Sequence, residues 1–291
     1  MDALEQLLGK AEVLVERLEK LIPPVPEATD WNSAIAFRWR GSDARPALRA
    51  IQRPHRLDLA DLLCVDRQKS ELDRNTRQFL KGLPANNALL WGSKGTGKSS
   101  LVKALLNEYA AAGLRVVEVD RQHLVELPDI LDLLYPRPEK FILYCDDLSF
   151  EADDAGYKAL KAILEGSLSA PPANVLIYAT SNRRHLLPEY PEDNQQARWV
   201  EGELHQGEAV EEKISLSERF GVWLSFHPFT QDQYLAVARH WLDQLGTSAD
   251  GWETARAEAL RYALLRGSRS GRVAWQFAKD WSGRMGLSGL E

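Results

Sequence analysis

Eight residues constrain this chain more than any others. From position 92 it reads Gly92-Ser93-Lys94-Gly95-Thr96-Gly97-Lys98-Ser99, a full match to G-x-x-x-x-G-K-[ST]. The short apolar run Ala88-Leu89-Leu90-Trp91 precedes it, and a helix-forming run, SSLVKALLNEYAAAG, follows. The segment is therefore a strand, a glycine loop and a helix in succession. The glycines let consecutive backbone N–H groups turn inward and cradle phosphates. The helix that opens near Lys98 adds the positive end of its dipole. In this pattern Lys98 reaches the β- and γ-phosphates and the Ser99 hydroxyl can ligand Mg²⁺. The run from Gly92 to Ser100 is the expected phosphate contact.

Around this loop, short apolar runs alternate with helical stretches. Leu72 to Leu80 is helical and ends at Gly82-Leu83-Pro84; Leu114 to Val119 is a strand. A Pro-punctuated helix lies near Asp129 to Leu134, followed by the buried run Phe141 to Cys145. A helix over Gly156 to Leu168 precedes another apolar run, Val175 to Ala179. This alternation predicts βαβ units around a parallel sheet. After Pro228 no strand pattern remains. Residues 230 to 245, 252 to 266 and 271 to 284 read as three helices divided by Gly246 and Gly267.

The second chemical signal is Phe141-Ile142-Leu143-Tyr144-Cys145-Asp146-Asp147. Five strand-forming residues deliver two carboxylates at a strand's C-terminal end, where α/β sheets hold ligands. Asp146 can then hold Mg²⁺ through water, and Asp147 can polarise an attacking water.

With these residues in view, the chain resembles the AAA+ ATPases from about Leu57 onward. The likeness implies an α/β fold of the P-loop NTPase type, a parallel sheet flanked by helices with a small C-terminal helical lid. It also implies ATP and Mg²⁺ as cofactors. The strand Val175 to Ala179 runs into Thr180-Ser181-Asn182, which looks like the sensor 1 segment, so that Asn182 orients the lytic water beside Asp147. Leu216-Ser217-Glu218-Arg219-Phe220-Gly221 resembles the arginine-finger segment, with Arg219 aimed at a neighbouring subunit's γ-phosphate. Gly271-Arg272-Val273-Ala274 resembles sensor 2, so Arg272 touches phosphates from the lid. The stretch from Leu62 to Gln68, with Leu63 and Val65, takes the place of the adenine-side segment. More narrowly, LPANNALLWGSKGTGKSSLVKALLNEY, CDDLSFE, YATSNRRHLLPE and EAVEEKISLSERFG look like a prokaryotic branch of predicted AAA+ ATPases classed as a domain of unknown function. That branch supplies no substrate.

One departure matters. AAA+ proteins place Glu after the metal Asp, whereas Asp147 is one methylene shorter. A group ~1 Å out of place can cost on the order of a hundredfold in rate. Either Asp147 works through a different water, or Glu151 supplies the base, or the protein mainly binds ATP and switches.

The flanks carry less chemistry. Residues 2 to 22 bear an apolar stripe that makes an amphipathic helix, stopped by Pro23-Pro24. It either packs on its own domain or meets another subunit. Residues 31 to 57 hold six arginines (Arg38, Arg40, Arg45, Arg49, Arg53, Arg56), two tryptophans and no lysine. Such a mixture can contact a phosphate backbone or stack on bases, though Arg also suits subunit ion pairs. A formal net charge of −6 argues against a chain-wide basic coat, not against a local patch. Residues 183 to 213 form a long connection with eight acidic and four basic residues, too polar for a core. Trp199-Val200 within it is either a docking tip or part of a solvated insertion. Cys64 and Cys145 make no CxxC pair, and the histidines lack metal-ligand spacing, so disulfide and zinc frameworks are not expected. No stretch approaches ~20 apolar residues, and a cytoplasmic, non-membrane protein follows.

The expected organisation is thus an N-terminal helical, Arg-rich extension (1–56), an α/β nucleotide-binding domain (57–228) with the insertion 183–213, and a helical lid (229–291). The expected activity is ATP hydrolysis at the interfaces of a nucleotide-dependent oligomer, a hexamer by family analogy, that remodels an unknown protein client. An ATP-dependent switch or a DNA-associated loader stands as the alternative.

Overall fold

In the computed structural model the described residues are 29–41, 47–151, 154–166, 172–184, 186, 198–200, 203–205, 216–247 and 251–288, with the single positions 8 and 14. The amphipathic helix expected at 2–22 lies outside them apart from Leu8 and Leu14, which are helical and exposed.

The strands are β1 (Ala36–Arg40), β2 (Ala47–Ala50), β3 (Ala88–Gly92), β4 (Leu114–Glu118), β5 (Lys140–Cys145), β6 (Val175–Ser181), β7 (Arg198–Val200), β8 (Glu203–His205) and β9 (Val222–Phe226). The helices are α1 (Asp66–Leu80), α2 (Lys98–Tyr109), α3 (Leu127–Leu134), α4 (Ala155–Glu165), α5 (Gln231–Gln244), α6 (Trp252–Leu265) and α7 (Gly271–Ser288). Seven strands form one sheet in the order β2-β1-β4-β5-β6-β3-β9. All pairings in it are parallel except β1 with β2.

Both faces of this sheet are covered, which is why β5 is apolar at consecutive positions rather than at alternate ones. Ile142 and Tyr144 join one core with α1, α2 and the C-terminal helices. Phe141, Leu143 and Cys145 join the opposite core with α3 and α4. Helix α1 is pinned by a satisfied buried polar cluster: Asn75 Nδ2 donates to Asn86 O (2.8 Å) and to the Tyr178 hydroxyl (3.0 Å), which also meets Thr76 Oγ1 at 2.9 Å.

The segment 36–50 departs from the expected extension. It supplies β1, parallel to β4, and β2, antiparallel at the sheet's edge. Trp31, Phe37, Trp39 and Leu48 are buried in the second core, each burial stabilising by roughly 1.5–3 kcal/mol. Arg38 is paired with Glu118 across the β1–β4 register at 2.6 Å. The tryptophans are core residues, so they offer no platform for bases. The insertion carries a two-stranded antiparallel ribbon, β7 with β8; Trp199-Val200 falls on β7, and 206–213 lies outside the described residues. Helix α5 opens on a capping box formed by Thr230 and Gln233.

Candidate functional site

Parallel topology brings three loops to one end of the sheet: the glycine loop after β3, the acidic turn after β5 and Asn182 after β6. The loop is held in place by close approach. Gly92 has φ +127°, and a Cβ there would lie 2.0 Å from Phe226 O of β9, so only glycine fits. Ser93 N–H donates to that same carbonyl at 3.0 Å. Helix α2 then begins at Lys98 behind a left-handed Gly97, directing its N-terminus into the site.

A cavity of about 620 Å³ opens between this loop, the acidic turn and the C-terminal helices. Lys94, Gly95, Thr96, Gly97, Lys98, Ser99 and Ser100 line it, as do Leu63, Val65, Asp146, Asp147, Asn182 and Arg272. Most of the residues expected from sequence therefore converge. Gly92 and Ser93 stand just behind it, their carbonyls accepting the Lys98 ammonium at 2.7 and 2.8 Å. Burial pulls the Lys98 ammonium below its ordinary pKa, against the opposing charges of Asp147 and Asp146. Arg272 and Lys94 add further positive charge beside Lys98, and a cavity side lined by three cations favours an anionic ligand.

Asp146 accepts three hydrogen bonds on one oxygen, Oδ1: from Ser99 Oγ (2.8 Å), Tyr144 OH (2.6 Å) and Thr180 Oγ1 (2.5 Å). Burial would raise its pKa, but the bonds from Thr180, Tyr144 and Ser99 hold it below the ordinary carboxylate value. Ser99 and Asp146 give a hydroxyl and a carboxylate side by side. Among the described residues no group of three or more His, Cys, Asp and Glu could hold a metal ion. This oxygen pair fits the protein's share of a Mg²⁺ shell, which phosphates and water ordinarily complete.

Asp147 sits in the left-handed region at φ +52°, a conformation that costs a non-glycine residue about 1–2 kcal/mol and that Asp tolerates better than most. Asn182 Nδ2 donates to Asp147 Oδ1, and Asn182 Oδ1 accepts from Lys98 at 3.1 Å. Asn182 thus bridges the loop lysine and the second carboxylate. Arg272 opens α7, and its N–H donates to Gly95 O at 3.2 Å, which sets the C-terminal helices directly on the loop.

Two expected residues are not brought in. Glu151 is exposed and does not line the cavity. Arg219 also lies outside it, with Nη2 3.2 Å from Glu165 Oε1. Several cavity residues escaped sequence reasoning. Trp241 of α5 and Trp275 of α7, ring centroids 4.8 Å apart, also line the cavity. Their spacing along helices looks the same as any core stripe. Arg56 and Lys103 also line the cavity; Arg56 was visible only as one member of an arginine-rich stretch.

Residues 32–285 match the family described as Protein of unknown function (DUF815). The chain belongs to DUF815. Among curated proteins, this DUF815 chain is 32% identical over 118 residues to the replication factor C large subunit of Staphylothermus marinus, covering 37% of this chain and 27% of that protein. It therefore spans about a quarter of the curated relative it matches. Among solved structures, the DUF815 chain is similar to the R170A form of RuvB from Thermotoga maritima, with a TM-score of 0.45 and 12% identity over 76% of this chain and 71% of that one. It is also similar to the ORC1 protein of Aeropyrum pernix, solved in complex with DNA, with a TM-score of 0.48 and 15% identity over 75% and 61% of the two chains. The expected architecture is the one observed in this DUF815 chain: a mostly parallel sheet flanked by helices, with the glycine loop after β3, followed by C-terminal helices. No helix among the described residues is long and apolar enough to cross a membrane.

Proposed function

We propose that the cavity binds ATP with Mg²⁺ and hydrolyses it. The observation that carries this reading is the direct contact of Ser99 with Asp146, 2.8 Å apart, in the cavity that Lys98 also lines. The loop N–H groups and the α2 N-terminus bind the phosphates. Lys98 exchanges its carbonyl partners for phosphate oxygens and neutralises charge there. When bound, Mg²⁺ would be held by Ser99 and Asp146 and would draw charge from the β- and γ-phosphate oxygens. Asp147 accepts the proton of the attacking water, and Asn182 orients that water from beside it. Leu63, Val65, Trp241 and Trp275 take the base side, and Arg272 reaches the phosphates from α7.

In this reading residues up to 228, now including the strands at 36–50, form the nucleotide-holding unit, and 229–291 form a lid. Arg219, outside its own cavity, serves a neighbouring copy in a nucleotide-dependent oligomer acting on a macromolecular client. Free thiols at Cys64 and Cys145 suit a reducing cytoplasm. A second reading, an ATP-dependent switch with little turnover, is favoured by one observation: Asn182 ties Asp147 to Lys98, which occupies the carboxylate that should meet water.

Isothermal titration with Mg-ATP tests the binding. Lys98→Ala should cost about 2–5 kcal/mol of affinity, the usual loss when a buried charge partner is removed. Unchanged affinity would overturn the assignment of the loop.

A further inference from the structure

Thr180 is buried on β6, one residue before Ser181 and two before Asn182. A buried threonine ordinarily satisfies its hydroxyl with one local carbonyl, as Thr76 does on Leu72 O at 2.8 Å. Thr180 does something different. Its Oγ1 donates its proton to Asp146 Oδ1 (2.5 Å) and accepts the Asp147 N–H (2.8 Å). Its carbonyl accepts the Leu148 N–H at 2.7 Å. Three consecutive residues of the acidic turn are thereby fastened to one residue of the neighbouring strand.

We infer that Thr180, assisted by Tyr144, is the positioning residue that fixes the metal-side carboxylate of Asp146 and the water-side carboxylate of Asp147 relative to each other; this rests on the Mg²⁺–nucleotide reading above. The Asp147 N–H belongs to a left-handed residue and is taken by the Thr180 hydroxyl. That bond holds the backbone turn that aims the short carboxylate at Asn182. Tyr144 donates to the same Asp146 oxygen at 2.6 Å. With Thr180, Tyr144 and Ser99 all on Oδ1, the other oxygen, Oδ2, has no donor among the described residues and is the one presented to a cation. Second-layer hydrogen bonds of this kind orient ligating carboxylates and tune affinity for the ion.

The test uses the 291-residue chain with Mn²⁺, read by electron paramagnetic resonance, and the non-hydrolysable analogue adenylyl imidodiphosphate. Thr180→Val keeps the shape and removes both hydroxyl bonds. It should weaken Mn²⁺ binding in the ternary complex by roughly 10–100-fold, while affinity for the analogue without metal stays at the wild-type value. Thr180→Ser should restore most of the Mn²⁺ affinity. Tyr144→Phe removes one donor with almost no change of volume, so it gives a separate reading should the valine variant not fold, and it should weaken Mn²⁺ in the same direction. Wild-type Mn²⁺ affinity in Thr180→Val or in Tyr144→Phe, or a well-folded Thr180→Ser without recovery, would overturn the inference. A wild-type chain that binds the analogue no better with Mn²⁺ than without would instead overturn the metal reading on which it stands.

Discussion

On the proposed reading, Asp147 is the side chain that separates hydrolysis from mere switching. It is one methylene shorter than the glutamate of the AAA+ pattern, and its backbone lies at φ +52°, so its carboxylate leaves the turn in a direction that an extended residue would not give. Asn182 meets it there, inside the cavity, whereas Glu151 is exposed outside. If Asp147 is the base, Asp147→Asn should lower ATP turnover by about 10²–10⁴-fold, the usual contribution of a positioned base, and leave Mg-ATP affinity intact. Glu151→Gln should turn over at the wild-type rate. Steady-state assays of the two variants rank them, and the reverse ranking would move the base to Glu151.

Among the elements, β1 shows most clearly what the sequence conceals. The five residues Ala36–Arg40 alternate as strands do, with Phe37 and Trp39 buried, but the arginines among them pointed to a phosphate backbone or a subunit ion pair. Arg38 is answered by Glu118 on β4, a pairing that spacing along the chain cannot reveal. Trp39 Nε1 donates to Glu126 Oε2 at 2.5 Å, and His123 Nδ1 lies 3.0 Å from Glu126 Oε1, which joins β1 to the turn ahead of α3. Burial would raise the Glu126 pKa, but the hydrogen bonds from His123 and Trp39 and the nearby His123 charge hold it below the ordinary value. A depressed carboxylate pKa contributes stability that is present above the unfolded value, about 4.3, and is lost as pH falls through the folded one. Glu126→Gln should therefore destabilise the fold at pH 6, and the gap to wild type should close below about pH 4; urea unfolding at several pH values measures it. By contrast, β3, β5 and β6 were legible because continuous apolar runs mark strands buried on both faces. The glycine loop and acidic pair were legible because their chemistry is local. Thr180 and Trp241 were not, since each acts through contacts between elements far apart in sequence.

On the scale of the whole molecule, Arg219 has no place in its own cavity and is paired with Glu165 of α4. A trans role predicts that Arg219→Ala binds nucleotide normally but loses about 10³–10⁵-fold in turnover. Mixing it with Lys98→Ala subunits should recover activity, since each supplies what the other lacks. No recovery, with light scattering that stays monomeric in ATP, would make Arg219 an ordinary surface residue. The glycine loop has a mechanical consequence on the same scale. Three main-chain bonds tie the loop, β9 and the C-terminal helices into one circuit: Ser93 N–H to Phe226 O of β9 (3.0 Å), Phe229 N–H to Arg269 O (3.2 Å) and Arg272 N–H of α7 to Gly95 O of the loop (3.2 Å). Together with the covalent chain they close a ring that runs from loop to β9, through residues 227–230, across to the start of α7 and back to the loop. A closed linkage of stiff pieces has few ways to flex. On the proposed reading, a phosphate drawn into the loop would therefore pull on the C-terminal helices through the backbone, and a load on those helices would reach the phosphate.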